Sequence, residues 1–371
     1  MSKPDHCPEN ERIKQQYCRW LSEARGRSAA TIDMAAAAIA RFEAYTGFRS
    51  FRKFHVEQAR GFKMQLAKQG RRDGSAKPLS RATIASILRH LCAFFLWLAD
   101  QPGYRSRIKP SDAAYFSPSD HDVRVAEGRR EKPSPELAQV LHVLSIMPTS
   151  TPMEKRDRAV VAFILLTGGR DGAVASLKLK HIDIAARKVF WDAREVRTKK
   201  AKTFTAGFFP VGDVPLAIVA DWVRFLQTEM GFGPDDPLFP ASVVDLGGDS
   251  GATIVRLSRN PWMTADPIRE IFKRAFGAAG LPYYNPHSLR ATLARMGQAM
   301  CRTPEELKAW SQNLGHSDML TTFTSYGTIA THRQLELVAG VGKPKPTTAN
   351  ELTLDDLEAF VSARRAGGSG L

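Results

Sequence analysis

The sequence predicts a mainly α-helical chain with a small β-hairpin or sheet in the second of two domains. Three observations carry this expectation. Apolar residues recur at spacings of three and four through much of the chain, the signature of helices with one buried stripe. Two short runs rich in β-branched and aromatic residues, 189–191 and 204–211, flank a lysine-rich turn as the arms of a hairpin do. Pro102, Pro110, Pro118, Pro133 and Pro135 interrupt any helix between 101 and 135, so the cores on either side are separate. At about 150 residues per domain, 371 residues make two or three domains, and a hydrophobic fraction of 43% is enough to fold them.

The elements follow in order. Helices are expected over 13–20 and 31–45, the second with Ile32, Ala35, Ala36, Ile39 and Phe42 in its stripe and Arg41 and Glu43 facing elsewhere. The segment 54–66 repeats the pattern with Val56, Ala59, Phe62 and Leu66, and 68–78 is too polar for a core. Ser80 is an N-cap for a strong helix through Ile84, Ile87, Leu88, Leu91, Phe94, Phe95 and Leu98, which completes a four-helix domain over 1–112. The proline-rich stretch places a linker at 113–133. The second domain, 134–342, opens with a helix over 134–147 and a buried helix over 158–167 that ends at Gly168 and Gly169. A helix over 172–179 and the hairpin come next, with Lys199, Lys200 and Lys202 at the hairpin tip. Helices over 216–230 and 268–279 bracket a glycine-rich, loose insertion at 243–259, and helices over 293–300, 305–313 and 332–341 close the domain. In the tail, 343–371, Pro344 and Pro346 mark a linker. Thr353 and Asp356 form a capping box in front of Leu354, Leu357, Phe360 and Val361. So short a helix is not stable alone and docks either on its own domain or on a neighbouring copy.

Composition removes several classes of function. Cysteines at 7, 18, 92 and 301 have neither metal-ligand nor paired spacing, which fits a reducing cytoplasm. The amino terminus lacks the apolar stretch of a signal peptide, and no run approaches the ~20 apolar residues of a membrane span. No membrane association is therefore expected. Charge points towards a partner: Lys and Arg number 53 against 38 Asp and Glu, a net +15. Residues 1–130 alone hold 24 basic and 13 acidic residues, so most of the excess lies in front. Such a surplus is either a solvated face or a surface for nucleic acid, and acidic membrane is the weaker partner because no basic face is joined to a long apolar one.

Four local signals carry chemistry. In TGGRDGAVASLKLKHID, Arg170 follows a double glycine where one helix ends and another begins, a place to meet an anion beside helix-start N–H groups; a surface arginine next to a C-cap is the plainer reading. The lysines of TKKAKT are solvated or reach into a phosphate-bearing groove. In NPHSLR, His287 and Arg290 stand three apart and share a helix face, which sets an acid/base group beside a guanidinium, although such pairs arise often by chance. In WSQNLGHSDMLTTFTSY, a helix breaks at Gly315, His316 follows, and Tyr326 ends a threonine-rich stretch. Taken alone, that tyrosine reads as half-buried core.

Taken in order, these signals resemble the tyrosine recombinases, or phage integrase family, over most of residues 10–340. The resemblance implies a helical core-binding, DNA-binding domain in front of a tyrosine-recombinase catalytic domain. It also implies a site-specific recombinase or integrase that cleaves and rejoins DNA through a 3′-phosphotyrosyl link. Arg170 matches the first catalytic arginine, His287 and Arg290 the histidine–arginine pair, His316 the later histidine and Tyr326 the nucleophile. Lys199 matches the hairpin lysine by its spacing to Lys202, with Lys200 the rival. Double-stranded DNA is the implied partner, with a tetramer on paired sites and a monomeric or weakly associated free protein. No cofactor and no metal are expected, and the location is cytoplasmic, with the nucleoid when bound. Three departures stand out: Ala173 where an acidic residue is usual, Ala291 where histidine is common, and Tyr326 ten residues after His316 instead of nine. They keep two other readings open, an integrase-fold DNA-binding protein that does not cleave and a type IB topoisomerase-like strand relaxase.

Overall fold

The computed structural model describes residues 6–68, 78–118, 133–245 and 253–316. Tyr326, the expected 332–341 helix, the tail with Thr353 and Asp356, most of the 68–78 connection and residues 119–132 lie outside the described residues. The chain divides into two units, Met1–Arg130 and Glu131–Leu371, each with its own apolar core.

The front unit is built on α1 (Pro8–Glu23), α2 (Ala29–Thr46), α3 (Val56–Lys68) and α4 (Arg81–Ala99). Proline at the first helical position and Glu9 and Glu11 in the first turn start α1, where a missing N–H is harmless and negative charge meets the positive end of the helix dipole. Gly47, at φ 64°, ends α2 in the left-handed conformation that glycine adopts without a side-chain clash. Ser80 caps α4 as expected, its Oγ accepting from the Thr83 N–H at 3.1 Å. The core is aromatic: Phe42 meets Phe62, Phe95 and Phe116 edge-on at 5.4, 5.5 and 5.2 Å, and each such pair adds about 0.5–1.5 kcal/mol beyond its buried area. By length and composition α4 is long and apolar enough to cross a membrane, against the expectation of no such run. Leu88, Leu91, Phe94, Phe95 and Leu98 on this helix are buried in the front core.

Two expectations for this unit are corrected. Glu43 does not face outward but is 1% exposed, because Asn10 donates to its carboxylate at 3.0 Å and Lys14 pairs with it. Asn10 also donates to the Arg49 carbonyl and accepts from the Phe51 N–H, so a satisfied polar knot joins α1 to α2. The front core also runs past 112, so residues 113–118 are not linker. Tyr104 and Ile108 are buried, and α5 (Pro110–Ala113) with the following 3₁₀ turn delivers Phe116 into the core at 0% exposure. Pro110 initiates α5 instead of breaking a helix.

The second unit is organised around α7 (Pro152–Thr167), buried continuously from Ala159 to Thr167. Around it lie α6 (Leu137–Ile146), α9 (Asp213–Thr228), α10 (Asp266–Ala278) and α11 (Ser288–Met300), and α12 (Pro304–Asn313) packs on α11. The expected hairpin is present as β2 (Lys188–Trp191) and β3 (Phe204–Gly207), antiparallel with Val189 opposite Ala206 and Trp191 opposite Phe204. A short β1 (Ile182–Asp183) extends it to three strands in the order β1-β2-β3. The segment expected as a helix over 172–179 holds only one turn, α8 (Asp171–Val174), before a 3₁₀ turn at Leu179–His181. The described ends of the insertion are not loose either: β4 (Pro240–Asp245) pairs antiparallel with β5 (Thr253–Pro261). Arg156, buried on α7, donates to the Pro240 carbonyl and to Ser242 Oγ, both at 2.9 Å, and lies over the Trp262 ring, which ties this ribbon to the central helix.

Phe116→Ala tests the revised extent of the front core. It removes a ring packed against Phe42, Phe54 and Phe95, and the expected loss of stability is about 3–5 kcal/mol, read from the urea transition of the full chain; a loss below ~1 kcal/mol would return this segment to the linker.

Candidate active site

The site begins where α7 ends. Gly168 terminates the helix at φ 61°, and a Cβ there would sit 2.7 Å from the Leu314 methyl, so both conformation and space require glycine. At Gly169 a Cβ would meet Val174 at 2.7 Å and the Trp191 ring at 2.8 Å. Thr167 fixes this turn, its hydroxyl donating to the Phe163 carbonyl at 2.8 Å and accepting from the Gly169 N–H at 3.1 Å. Arg170 follows as the N-cap residue of α8, its carbonyl accepting from the N–H groups of Ala173 and Val174, both at 2.9 Å.

Arg170, Lys199, Lys202 and Arg290 line one cleft. Arg290 is its hub. Carried in the first turn of α11 and 2% exposed, it donates to the carbonyls of Gly168 and Leu314, the latter at 2.6 Å, and contacts His316 Nε2 at 2.9 Å. A guanidinium can only donate, so Nε2 accepts and the neutral ring carries its proton on Nδ1. Burial pushes the His316 pKa down to about 4, and the positive charges of Arg290, Arg170 and Lys202, with that of His287 whenever it is protonated, push in the same direction. His316 is therefore uncharged at neutral pH.

The other expected residues fall as follows. Lys199 lines the cleft and Lys200 does not. His287 is the N-cap residue of α11 and is exposed while Arg290 is buried, so the pair does not share one environment; its charge nevertheless reaches His316. Ala173 borders the cleft with a methyl group, and Asp171 is engaged elsewhere, accepting from Arg269 Nε at 2.9 Å and from the Gly172 N–H. Among the described residues no group of three or more His, Cys, Asp and Glu side chains is placed to hold a metal ion. Lys202, read from the sequence as one of the hairpin-tip lysines that reach a phosphate-bearing groove, lines the cleft, and Asn313, which sequence reasoning missed, lines it too. Lys202 reaches the Gly315 carbonyl at 3.4 Å and lies over the Phe204 ring. Asn313, from the end of α12, bonds to both backbone groups of Gly207. For Asn313 there was no sequence signal, because its partner lies 106 residues away. Four cations around one opening, one of them bonded to a neutral imidazole, suit a phosphate, whose charge they can hold without a metal.

Comparisons with known proteins bear on the family and the fold. The model of the phage integrase family matches residues 136–333, more than half of the chain. Tyrosine recombinase XerC of Escherichia coli O127:H6 (strain E2348/69 / EPEC) is 24% identical over 330 residues, spanning 88% of this chain and 93% of that protein. Two solved structures share the fold. One is a lambda integrase dimer bound to a COC′ core site, at TM-score 0.59 and 13% identity over 92% of this chain and 99% of that one. The other is XerH site-specific recombinase bound to a palindromic difH substrate in a post-cleavage complex, at TM-score 0.57 and 15% identity over 93% of this chain and 92% of that one.

The depressed pKa of His316 makes the fold sensitive to acid. Its ordinary value is 6.5 and its folded value about 4, so within that window the unfolded chain binds the extra proton. Stability is full above pH 6.5 and is lost as pH falls towards 4. His90 and His181, also lowered by burial, act with the same sign. His316→Asn removes one share, and calorimetry should show a smaller drop in Tm between pH 7 and pH 5 for the variant than for the parent; equal drops would place the proton sensitivity elsewhere.

Proposed function

The chain belongs to the phage integrase family, and on that premise we propose that it is a site-specific DNA recombinase that cuts and rejoins duplex strands through a 3′-phosphotyrosyl intermediate. The observation that carries this reading is the convergence of Arg170, Lys199 and Arg290 on one cleft, with His316 bonded to Arg290. The second unit acts as the catalytic domain and the basic front unit as the core-binding domain, where phosphate contacts position the duplex. Double-stranded DNA is the substrate, the working assembly is a tetramer on paired sites, and the protein acts in the cytoplasm.

Each residue type meets a need of the reaction. Tyr326 Oη attacks the scissile phosphorus in line; the new O–P bond forms as the P–O5′ bond breaks. A phenol with a pKa near ~10 is ionised in only about one molecule in a thousand at neutral pH, so its proton must be taken, and His287 is the base. Lys199 returns a proton to the departing 5′ oxygen. Charge gathers on the non-bridging oxygens, where Arg170 and Arg290 hold it; each charge-assisted contact contributes about 1.5–3 kcal/mol, and more where water is excluded. His316, neutral and bonded to Arg290, steadies that guanidinium or the phosphate itself. One phosphodiester replaces another, so the bonds balance without a nucleotide cofactor: the freed 5′ hydroxyl attacks the phosphotyrosyl phosphorus on the partner strand, and a new P–O5′ bond forms as the P–O bond to the tyrosine breaks and its phenol takes back a proton.

Two outcomes test this. Tyr326→Phe should leave duplex binding nearly unchanged and abolish the denaturation-resistant protein–DNA adduct, because the hydroxyl supplies the attacking atom while affinity comes from phosphate contacts. An undiminished adduct would remove Tyr326 from the role. For the acid, a substrate with sulfur at the 5′-bridging position needs little protonation of its leaving group. Lys199→Ala should be slow on the ordinary phosphodiester and restored on the thiolate, with Lys200→Ala near the parent on both. Restoration of Lys200→Ala or Lys202→Ala instead would move the role to that lysine.

A further inference from the structure

We propose that Asn313 is a positioning residue that locks the lysine hairpin to the Leu314–Gly315–His316 turn and thereby sets Lys199 against the departing oxygen. The proposal rests on the recombinase reading above and adds a residue to it.

The Asn313 side chain makes two bonds to a single residue of β3. Its Oδ1 accepts from the Gly207 N–H at 2.6 Å, and its Nδ2 donates to the Gly207 carbonyl at 2.8 Å. β3 is the outer strand of the three-stranded sheet, so alternate backbone groups face away from the ladder. A primary amide carries the donor and acceptor of a peptide group, and here it continues the sheet by one peptide's worth of bonding. The other end of β3 is held by the same turn. Gly315, at φ 72°, lies so close to Phe204 that a Cβ would come within 2.7 Å of the ring, and Lys202 reaches the Gly315 carbonyl. The strand from which the Lys199 turn springs is thus fixed at both ends by residues 313–315.

Arg290 has separate anchors. Arg290 is held by the carbonyls of Gly168 and Leu314 and by His316, none of which involves the Asn313 side chain. Removing that side chain should therefore loosen the hairpin while leaving Arg290 and His316 in place. The defect it produces is one of proton delivery to the leaving group, not of phosphate binding or nucleophilic attack.

This distinction supplies the test. Nicked suicide duplexes are recovered from a pool with a randomised core by covalent capture on the wild-type chain, then remade with oxygen or sulfur at the 5′-bridging position. Asn313→Ala, which loses both bonds, and Asn313→Asp, which keeps the size but sets a carboxylate oxygen against the Gly207 carbonyl, are compared with wild type and with Lys199→Ala. On the oxygen substrate adduct formation by both variants should fall about 10- to 100-fold, the cost of a small misplacement of a catalytic group, at unchanged duplex affinity. On the sulfur substrate both should return to within about threefold of wild type, as Lys199→Ala does. Unchanged rates on oxygen, or a loss that sulfur does not relieve, as from simple unfolding, overturns the role of Asn313 while leaving the recombinase reading intact. A wild-type chain that captures no duplex overturns that reading and the role of Asn313 with it.

Discussion

A guanidinium withdrawn from water must have its donors met, and the satisfaction of Arg290 is the constraint on which the second unit depends. A buried cation without partners costs several kcal/mol, and here the partners come from separate turns: the Gly168 carbonyl at the end of α7, the Leu314 carbonyl after α12, and the ring of His316. Each carbonyl is exposed to Arg290 only because its helix has ended. Helix termination by Gly168 and the break at Gly315 are therefore not punctuation alone; they present the acceptors that allow an arginine to be buried.

The same close approach explains why glycine recurs around the cleft. Leu314 presses on Gly168, Trp191 and Val174 on Gly169, and Phe204 on Gly315. The Trp310 ring lies on Gly297 of α11 in the same way, and its Nε1 donates to the Leu293 carbonyl at 2.9 Å. Backbone is thereby brought against aromatic side chains on several sides, so that cations anchored on different elements converge with little freedom. Groups fixed before the substrate arrives need no reorganisation when charge develops, and this is the physical link between the packing of these helices and the chemistry of the cleft.

How much of this was legible in the sequence depended on the range of the interaction. Helices with a stripe, such as α2, α4 and α10, and the capped start of α4 follow from local spacing and local hydrogen bonds. Arg170, Lys199, Arg290 and His316 were legible as an ordered set of motifs; the first three line one cleft and His316 is bonded to Arg290. Glu43, Phe116 and the β4–β5 ribbon were not, because each is decided by a distant partner. Asn10 and Lys14 make burial of a carboxylate tolerable, an aromatic cluster draws in the segment after α4, and Arg156 secures strands whose glycine-rich neighbourhood reads as loop. Asn313 escaped for the same reason, since its role exists only once Gly207 lies beside it. Tyr326 lies outside the described residues, and its assignment rests on sequence.

The alanine at 173 changes the electrostatics of the cleft in a definite direction. An acidic residue there would add negative charge beside Arg170 and draw protons towards His316. With a methyl group in that place, and with Asp171 turned to Arg269 on α10, Arg290, Arg170, His287 and Lys202 all act to lower the His316 pKa. The histidine is held neutral, and it accepts from Arg290 through Nε2. A charged imidazole could not accept that bond, so protonation would both add repulsion among neighbouring cations and release the guanidinium from one of its anchors. Neutral His316 and buried Arg290 thus sustain each other, and the cleft stays electropositive through cations fixed by backbone carbonyls, with no carboxylate from position 173 to compete with a phosphate for them.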